Sequence, residues 1–375
     1  MDLTKGDIVS AFCEELQTYL KGEVVTSRQT AKGQQVYVHF FKQDKRLDKW
    51  YDIDQLEKTD LDSEELKESK LNSYSQFGAA YEDFEKLHDQ VTKIRNIDLV
   101  TIGKYTIKTW YYSPYPDEFN QLDHIFVCDK CFRYFKTQEE LDSHMQGERP
   151  YPPGKEIYRN ENISIFELKG NSQKLSCQCL CLLSKLFLDH KTLYYDVEGF
   201  NLYVLCELGD DDQVHIAGYF SKELDSSDNN ILACITILPP YQKKGYGFLL
   251  ISLAYEIARR EGKVGGPERP LSDLGKIAFS SYWREVIIST LKDKLTEIKY
   301  ISDIVKLTYI DEDDVVDTLK PLNLVESYRG EYELLESKDD ILNIIDKIPT
   351  KRMIYAVDAK KLIWLPSELI HPNSQ

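Results

Sequence analysis

An α+β protein built from more than one module is what this 375-residue chain predicts, and three features carry the prediction. Apolar runs at 7–12, 23–29 and 34–41 read as short strands separated by Lys/Gly turns, the pattern of a small β-module. A polar, mostly acidic stretch from about 57 to 95 reads as a linker. Beyond it, apolar strands alternate with helical periodicity. The clearest unit is Ile231–Phe248: a strand stopped by two prolines, a glycine loop and a helix start.

Composition narrows the class. With 42% hydrophobic and 12% aromatic residues, 25 of them Tyr, the chain folds and is not disordered. Its 63 Asp+Glu against 47 Lys+Arg give a net charge of -16, which disfavours general nucleic-acid binding and suits docking of a basic peptide. The first residues lack the basic start and apolar core of a signal peptide, and the longest apolar run, Leu180–Leu188, is broken by Lys185 and too short for a bilayer. An intracellular protein without a membrane partner is therefore expected, its eight cysteines being thiols or metal ligands.

The front module, residues 1 to about 60, ends in a run that interleaves Tyr37, Phe40, Phe41, Trp50 and Tyr51 with charge. At least half of these rings belong in the core of so small a unit. Two ligand classes stay open for the rest: methyl-lysine through cation–π contact, or RNA. The linker at 61–95 has room for a helix around 79–88, and the main body begins near Asn96.

From 110 to 116 an aromatic strand ends in a proline turn. Cys128-x-x-Cys131 follows, with twelve residues before His144 and a helix expected over 137–145. That spacing favours a zinc module, a thiolate knuckle plus a helix presenting imidazole; a metal-free packed helix is the competing reading. Strands are expected at 163–168, 200–206 and 215–220. An apolar helix from 180 should lead into a short strand before 197. Cys177, Cys179 and Cys181 read as core packing in preference to metal ligation.

In the loop Gln242-Lys243-Lys244-Gly245-Tyr246-Gly247, glycines at 245 and 247 let backbone amides at a helix start face an anion, with two lysines adding charge. The loop lacks the Walker pattern, and Leu250 stands where a dinucleotide fingerprint needs its third Gly. The helix over 249–260 closes on Arg259 and Arg260 before Gly262. A rigid loop, Gly265–Gly275, then sets Glu268 between Pro267 and Pro270. Short helices and strands with acidic excess fill 285–346. A last strand is expected at 361–364.

Taken together, WYYSPYP, LCLLSKLFLDHKTLYYDV, GYFSKE, ACITILPPYQKKGYG and PERPLSDLG resemble the MYST family of histone acetyltransferases over nearly all of 96–300, and most of all its Esa/Tip/MOF branch. The resemblance implies a chromo-barrel (Tudor-like) module at 1–60 and an acetyltransferase domain at 96–375. Within that domain it implies a finger (123–150), a GNAT-like acetyl-CoA core (155–284) and a helical, winged-helix-like part (285–375). It implies Glu268 as general base and Cys234 as active-site cysteine. Acetyl-CoA contacts are implied at Ile235, Thr236, Ile237, Gln242, Lys243, Lys244, Gly245, Tyr246, Gly247, Phe248, Ser272 and Ser281. Zinc is implied on Cys128, Cys131 and His144; the family's fourth Cys is replaced by Glu148. Lys191 matches an autoacetylated lysine, expected to be buried; for Glu268, burial near an apolar wall would raise its pKa and suit it to the task. The implied setting is a multi-subunit nuclear complex acting on histone tails and nucleosomes, chiefly histone four, in transcription and the DNA-damage response.

Overall fold

A computed structural model of the chain describes residues 3–31, 33–60, 92, 94–120, 122–147, 151–209, 213–328, 331–348 and 356–366. The helix expected at 79–88 and Glu148 lie outside the described residues. The chain forms two compact units, one from residues 1–127, 134–141 and 182–192, the other from 128–133, 142–181 and 193–375.

The first unit opens with an antiparallel sheet of five strands: β1 (Ile8–Cys13), β2 (Thr18–Thr30), β3 (Gly33–Phe40), β4 (Lys49–Asp52) and β5 (Leu56–Lys58). They run in the order β4-β3-β2-β1-β5, and β1, β2 and β3 are the strands that the sequence predicts. Val9, Ala11, Val24, Val36, Val38 and Phe40 all point into one core, as period-2 patterning requires. A bulge between Val24 and Thr26 interrupts the register of the long β2, the usual device for bending a strand round a small core. Gly22 faces β3 so closely that a Cβ would lie 2.5 Å from the His39 carbonyl oxygen. Tyr37, Phe40 and Tyr51 are buried core, and the Arg28 guanidinium covers the Trp50 ring at 4.2 Å.

A second sheet in this unit holds β6 (Leu99–Ile102), β7 (Tyr105–Lys108), β8 (His124–Val127) and β9 (Tyr134–Phe135) in the order β7-β6-β8-β9. The aromatic stretch 110–116 is not the strand expected of it. The Trp110 and Tyr111 amides both donate to the Leu186 carbonyl, at 2.9 and 3.0 Å, and Pro114 and Pro116 have no N–H to extend a ladder.

In the second unit β10 (Lys155–Asn160), β11 (Ile163–Lys169), β12 (Phe200–Leu208), β13 (Val214–Glu223) and β14 (Cys234–Ile237) form an antiparallel meander in sequence order. Helix α1 (Gln138–Met145) falls where the sequence places it. Helix α2 (Lys174–Lys185) begins six residues earlier than expected, and no strand forms at 194–197. Cys177, Cys179 and Cys181 are buried in α2, and burial pushes the Cys177 thiol up to about 12. They are core residues.

Helix α3 (Tyr246–Glu261) buries Leu249, Leu250, Leu253, Ala254, Ile257 and Ala258 and ends on Gly262 at φ 68, a left-handed cap. Burial of each large aliphatic there contributes about 1.5–3 kcal/mol. Helix α4 (Asp273–Lys294) packs on it through stacked Tyr255 and Tyr282, 5.1 Å apart, and through Trp283 Nε1 donating to Tyr255 Oη at 2.7 Å. It runs unbroken across the boundary expected at 284/285 because Ile287, Ile288 and Leu291 continue its buried face. Then come α5 (Ile301–Thr308), α6 (Glu312–Leu319), the hairpin β15 (Val325–Tyr328) and β16 (Glu331–Leu334), and α7 (Lys338–Ile345), helices followed by a two-stranded wing. The segment at 361–364 makes a single bridge, Leu362 to Tyr158, and not a strand. It is held by Arg260, whose guanidinium donates to the carbonyls of Ala359, Leu362 and Trp364.

Candidate active site

The strand expected over 231–238 divides its pairing between two partners. Cys234–Ile237 pairs with β13, register Ser221 to Cys234 and Gly218 to Ile237. Ile231 and Leu232 pair instead with the loop that carries Glu268: the Ile231 amide donates to the Gly266 carbonyl at 2.9 Å, and the Glu268 amide to the Leu232 carbonyl at 2.8 Å. One continuous segment thus holds both Cys234 and the backbone of Glu268. Beyond it β14 is the edge of its sheet, and among the described residues no strand pairs with its outer side. An edge strand offers backbone donors and acceptors to an extended ligand. The Thr236 hydroxyl on this strand is buried and has no hydrogen-bond partner among the described residues. The Cys234 thiol is half-buried, 3.9 Å from Tyr219 Oη.

Past β14, Pro239–Tyr241 form a 3-10 turn, and Gln242 ties the loop back to the strand through Nε2 donating to the Ile237 carbonyl at 3.0 Å. Lys243 at φ 61 and Gly245 at φ 89 take left-handed backbone, so the chain reverses into α3. The leading amides of any helix have no acceptor within it, which makes the turn Gly245–Phe248 a cradle for an anion. A Cβ at Gly247 would meet nothing within 4 Å, so the approach is open. The Tyr246 side chain turns inward to donate to Glu207, and Lys244 pairs with the same carboxylate at 3.2 Å. Phe248 packs on Tyr282 at 5.1 Å. Nothing in the motif announces Glu207, 35 residues upstream of Gln242.

Glu268 is exposed, so the apolar wall that would raise its pKa is not seen. Its loop lines an open cavity of about 1220 Å³ whose other walls are Glu223, Asp228, Glu331 and the acidic first turns of α6. Carboxylates surround it because α6 packs its Asp-rich N-terminus against the loop: the Gly265 amide donates to the Tyr309 carbonyl and the Asp311 amide to the Gly265 carbonyl, both at 3.2 Å. Arg269 pairs with Asp314, whose side chain is 4% exposed. Sequence reasoning missed this pair; a carboxylate run reads as solvated surface.

Ser272 is the N-cap of α4, its Oγ accepting from the Gly275 amide at 3.1 Å, and Ser281 lies further along the same helix. Lys191 is half-buried, so the burial expected of it is not seen. A nearby lysine, Lys185, is buried instead, 2% exposed and pushed down to about 8 by burial, with Nζ donating to the Leu188 and Asp189 carbonyls at 3.2 and 2.8 Å.

Cys128, Cys131 and His144 converge, their donor atoms all within 4.8 Å of one another. Cys131 Sγ is 3.1 Å from His144 Nε2, and hydrogen bonding, first of all from Cys131, pulls the Cys128 thiol down to about 6. Two sulfurs and an imidazole at such spacing, one thiol already poised as thiolate, fit structural Zn²⁺.

A five-stranded meander with a helix-start anion cradle at its edge strand, and a carboxylate on the neighbouring loop, makes a site for an extended ligand that carries an anionic group. The MOZ/SAS family matches residues 151–362, the MYST family zinc finger domain 94–147, and the RNA binding activity-knot of a chromodomain 6–58. "Histone acetyltransferase of the MYST family 2" of Arabidopsis thaliana is 41% identical over 353 residues, 88% of this chain and 77% of that protein. "Histone acetyltransferase ESA1" of Candida glabrata is 40% identical over 84% of this chain and 69% of its own length. "Histone acetyltransferase MOF" of Drosophila melanogaster is 39% identical over 78% of this chain, which spans only 36% of that relative. The chain belongs to the MYST (MOZ/SAS) family, with its zinc finger and a chromodomain-type knot in front.

Proposed function

We propose that this protein is a histone acetyltransferase that moves the acetyl group of acetyl-CoA to lysine side chains of histone tails, chiefly histone four, with Glu268 as general base. The observation that carries this reading is the backbone ladder joining Ile231–Leu232 to Gly266–Glu268, which fixes the carboxylate loop beside the edge strand and its anion cradle. The pyrophosphate lies on the amides of 245–248. The pantetheine arm runs along Ile235–Ile237, and Ser272 and Ser281 add contacts from α4. A substrate lysine enters as ammonium, with a reference pKa of about 10.4, and must lose a proton before it can attack. Glu268 accepts that proton, directly or through one water. The amine nitrogen then bonds to the thioester carbonyl carbon, the C–S bond breaks, and the coenzyme leaves as thiolate to be protonated. Cys234 lines the site and takes no acetyl group.

An acidic cavity around the base suits a basic tail, since nine of its lining side chains are carboxylates against one Arg and one Lys. Lys191 is the autoacetylated lysine. The protein works in the nucleus within a multi-subunit complex. Its front module reads methyl-lysine or RNA; with Trp50 covered by Arg28, the family match to an RNA-binding knot favours RNA. Among the described residues no helix is long and apolar enough to cross a membrane.

Labelled acetyl-CoA offered to nucleosomes, free histones and small amines tests the reading. Histone labelling that falls about 100-fold or more in Glu268→Gln, with acetyl-CoA still bound, is expected. Equal labelling by wild type and Glu268→Gln would sink it.

A further inference from the structure

We propose that Asp314, on α6 outside the acetyl-CoA core, is a positioning residue that holds the Glu268 loop in working geometry through Arg269. The inference rests on the reading of Glu268 as base. Three sets of contacts converge on five residues of that loop. Its inner edge is laddered to Ile231 and Leu232, and its outer edge to Tyr309 and Asp311. Those bonds fix Gly265, Gly266 and the Glu268 amide, but nothing in them constrains the chain beyond Glu268. Asp314 does: its Oδ1 accepts from the guanidinium of Arg269, the residue next to the base. Its other oxygen, Oδ2, lies where a Cβ on Gly266 would come within 2.8 Å. The carboxylate therefore bonds the loop just after Glu268 and lies close against it just before.

The cost of this arrangement argues that it is kept for function. Asp314 is buried on a helix that carries Asp317 and is capped by Asp311; Tyr255 of α3 also feels its charge, Arg269 pairs with it, and Lys320 lines the same cavity. Burial, opposed by Arg269, pushes its carboxyl up to about 6. The sign follows from linkage: the folded state holds this proton more tightly than the unfolded chain, so the ionised form at pH 8 weakens the fold, and the penalty fades as pH falls through 6. An exposed arginine offsets only part of that cost. Arg269 is 59% exposed, so losing its partner strands no buried charge.

The test uses the full chain with acetyl-CoA and a histone four peptide. Asp314→Asn is expected to lower kcat at pH 8 about tenfold, leave KM for acetyl-CoA within about twofold, and melt at the same temperature or higher, a split that a packing role does not produce. The wild-type fall in kcat between pH 7 and 5 should shrink in this variant. Arg269→Gln, altering an exposed side chain, should lower kcat similarly, and the double variant no further than either single one. Unchanged kcat in Asp314→Asn, additive losses, or kcat and melting temperature falling together would overturn the proposal. Glu268→Gln run alongside separates the two readings. If it stays active the base assignment fails and this inference with it; if it is dead while Asp314→Asn is fully active, only the positioning role falls.

Discussion

The anion cradle at Gln242–Phe248 and the loop of the proposed base Glu268 at Gly265–Arg269, here called the base loop, flank the same short strand, yet they are held in different ways. The cradle is local. Its reversal comes from left-handed backbone at Lys243 and Gly245, its tie to β14 spans five residues through Gln242, and its amides belong to the helix that follows. The base loop is held from elsewhere, by Ile231–Leu232 on one edge and by Tyr309, Asp311 and Asp314 on the other, the last pair separated by 45 residues. A local device can carry a substrate handle on any member of a large class. A loop clamped by a distant subdomain ties chemistry to the integrity of the whole unit, as a step sensitive to small misplacements demands.

The contrast can be broken at either end. Below the Glu268→Gln loss, the largest effect is expected from Gly245→Val. At φ 89 a β-branched residue is strained by about 1–2 kcal/mol, so acetyl-CoA affinity should fall about tenfold while kcat at saturation stays near wild type. Isothermal titration with acetyl-CoA checks it, and a loss in kcat alone would erase the distinction between cradle and base loop. Gln242→Ala removes one hydrogen bond of about 1 kcal/mol and should raise KM for acetyl-CoA about fivefold in steady-state assays. Smallest of all is Cys234→Ala, expected to retain activity within about threefold when both substrates are present, as direct attack requires. Complete loss there with coenzyme binding intact would instead make the thiol an acetyl carrier.

The zinc site follows the local plan too. The knuckle and the helix of His144 were legible from spacing, and the structure brings the three donors together. The chromo-barrel strands were legible from alternation, and most of its aromatic run went to the core, as a module of that size requires. Less legible were the elements whose shape depends on a distant partner. The 110–116 stretch has strand composition but no partner strand among the described residues: Trp110 and Tyr111 bond the Leu186 carbonyl, and Ser113 bonds the Asn96 side chain. Ile231–Leu238 has the apolar run of one strand but divides its ladder between β13 and the base loop. Glu268 reads as a carboxylate between prolines, and no local signal tells that other carboxylates, not apolar side chains, surround it.

What the amino-acid sequence determined by itself were the features encoded within one helical turn or one strand: the glycine reversal, the alternation of the front sheet, the Cys-x-x-Cys knuckle and the cap at Gly262. These depend on backbone freedom and periodicity, properties that a residue carries with it. Tertiary structure decided that Lys185 is buried and Lys191 only half-buried, that Glu207 binds Tyr246 and Lys244, and that Asp314 reaches the loop of Glu268. Those facts arise from desolvation and charge pairing between segments far apart in the chain. They exist only once the fold has brought the segments together.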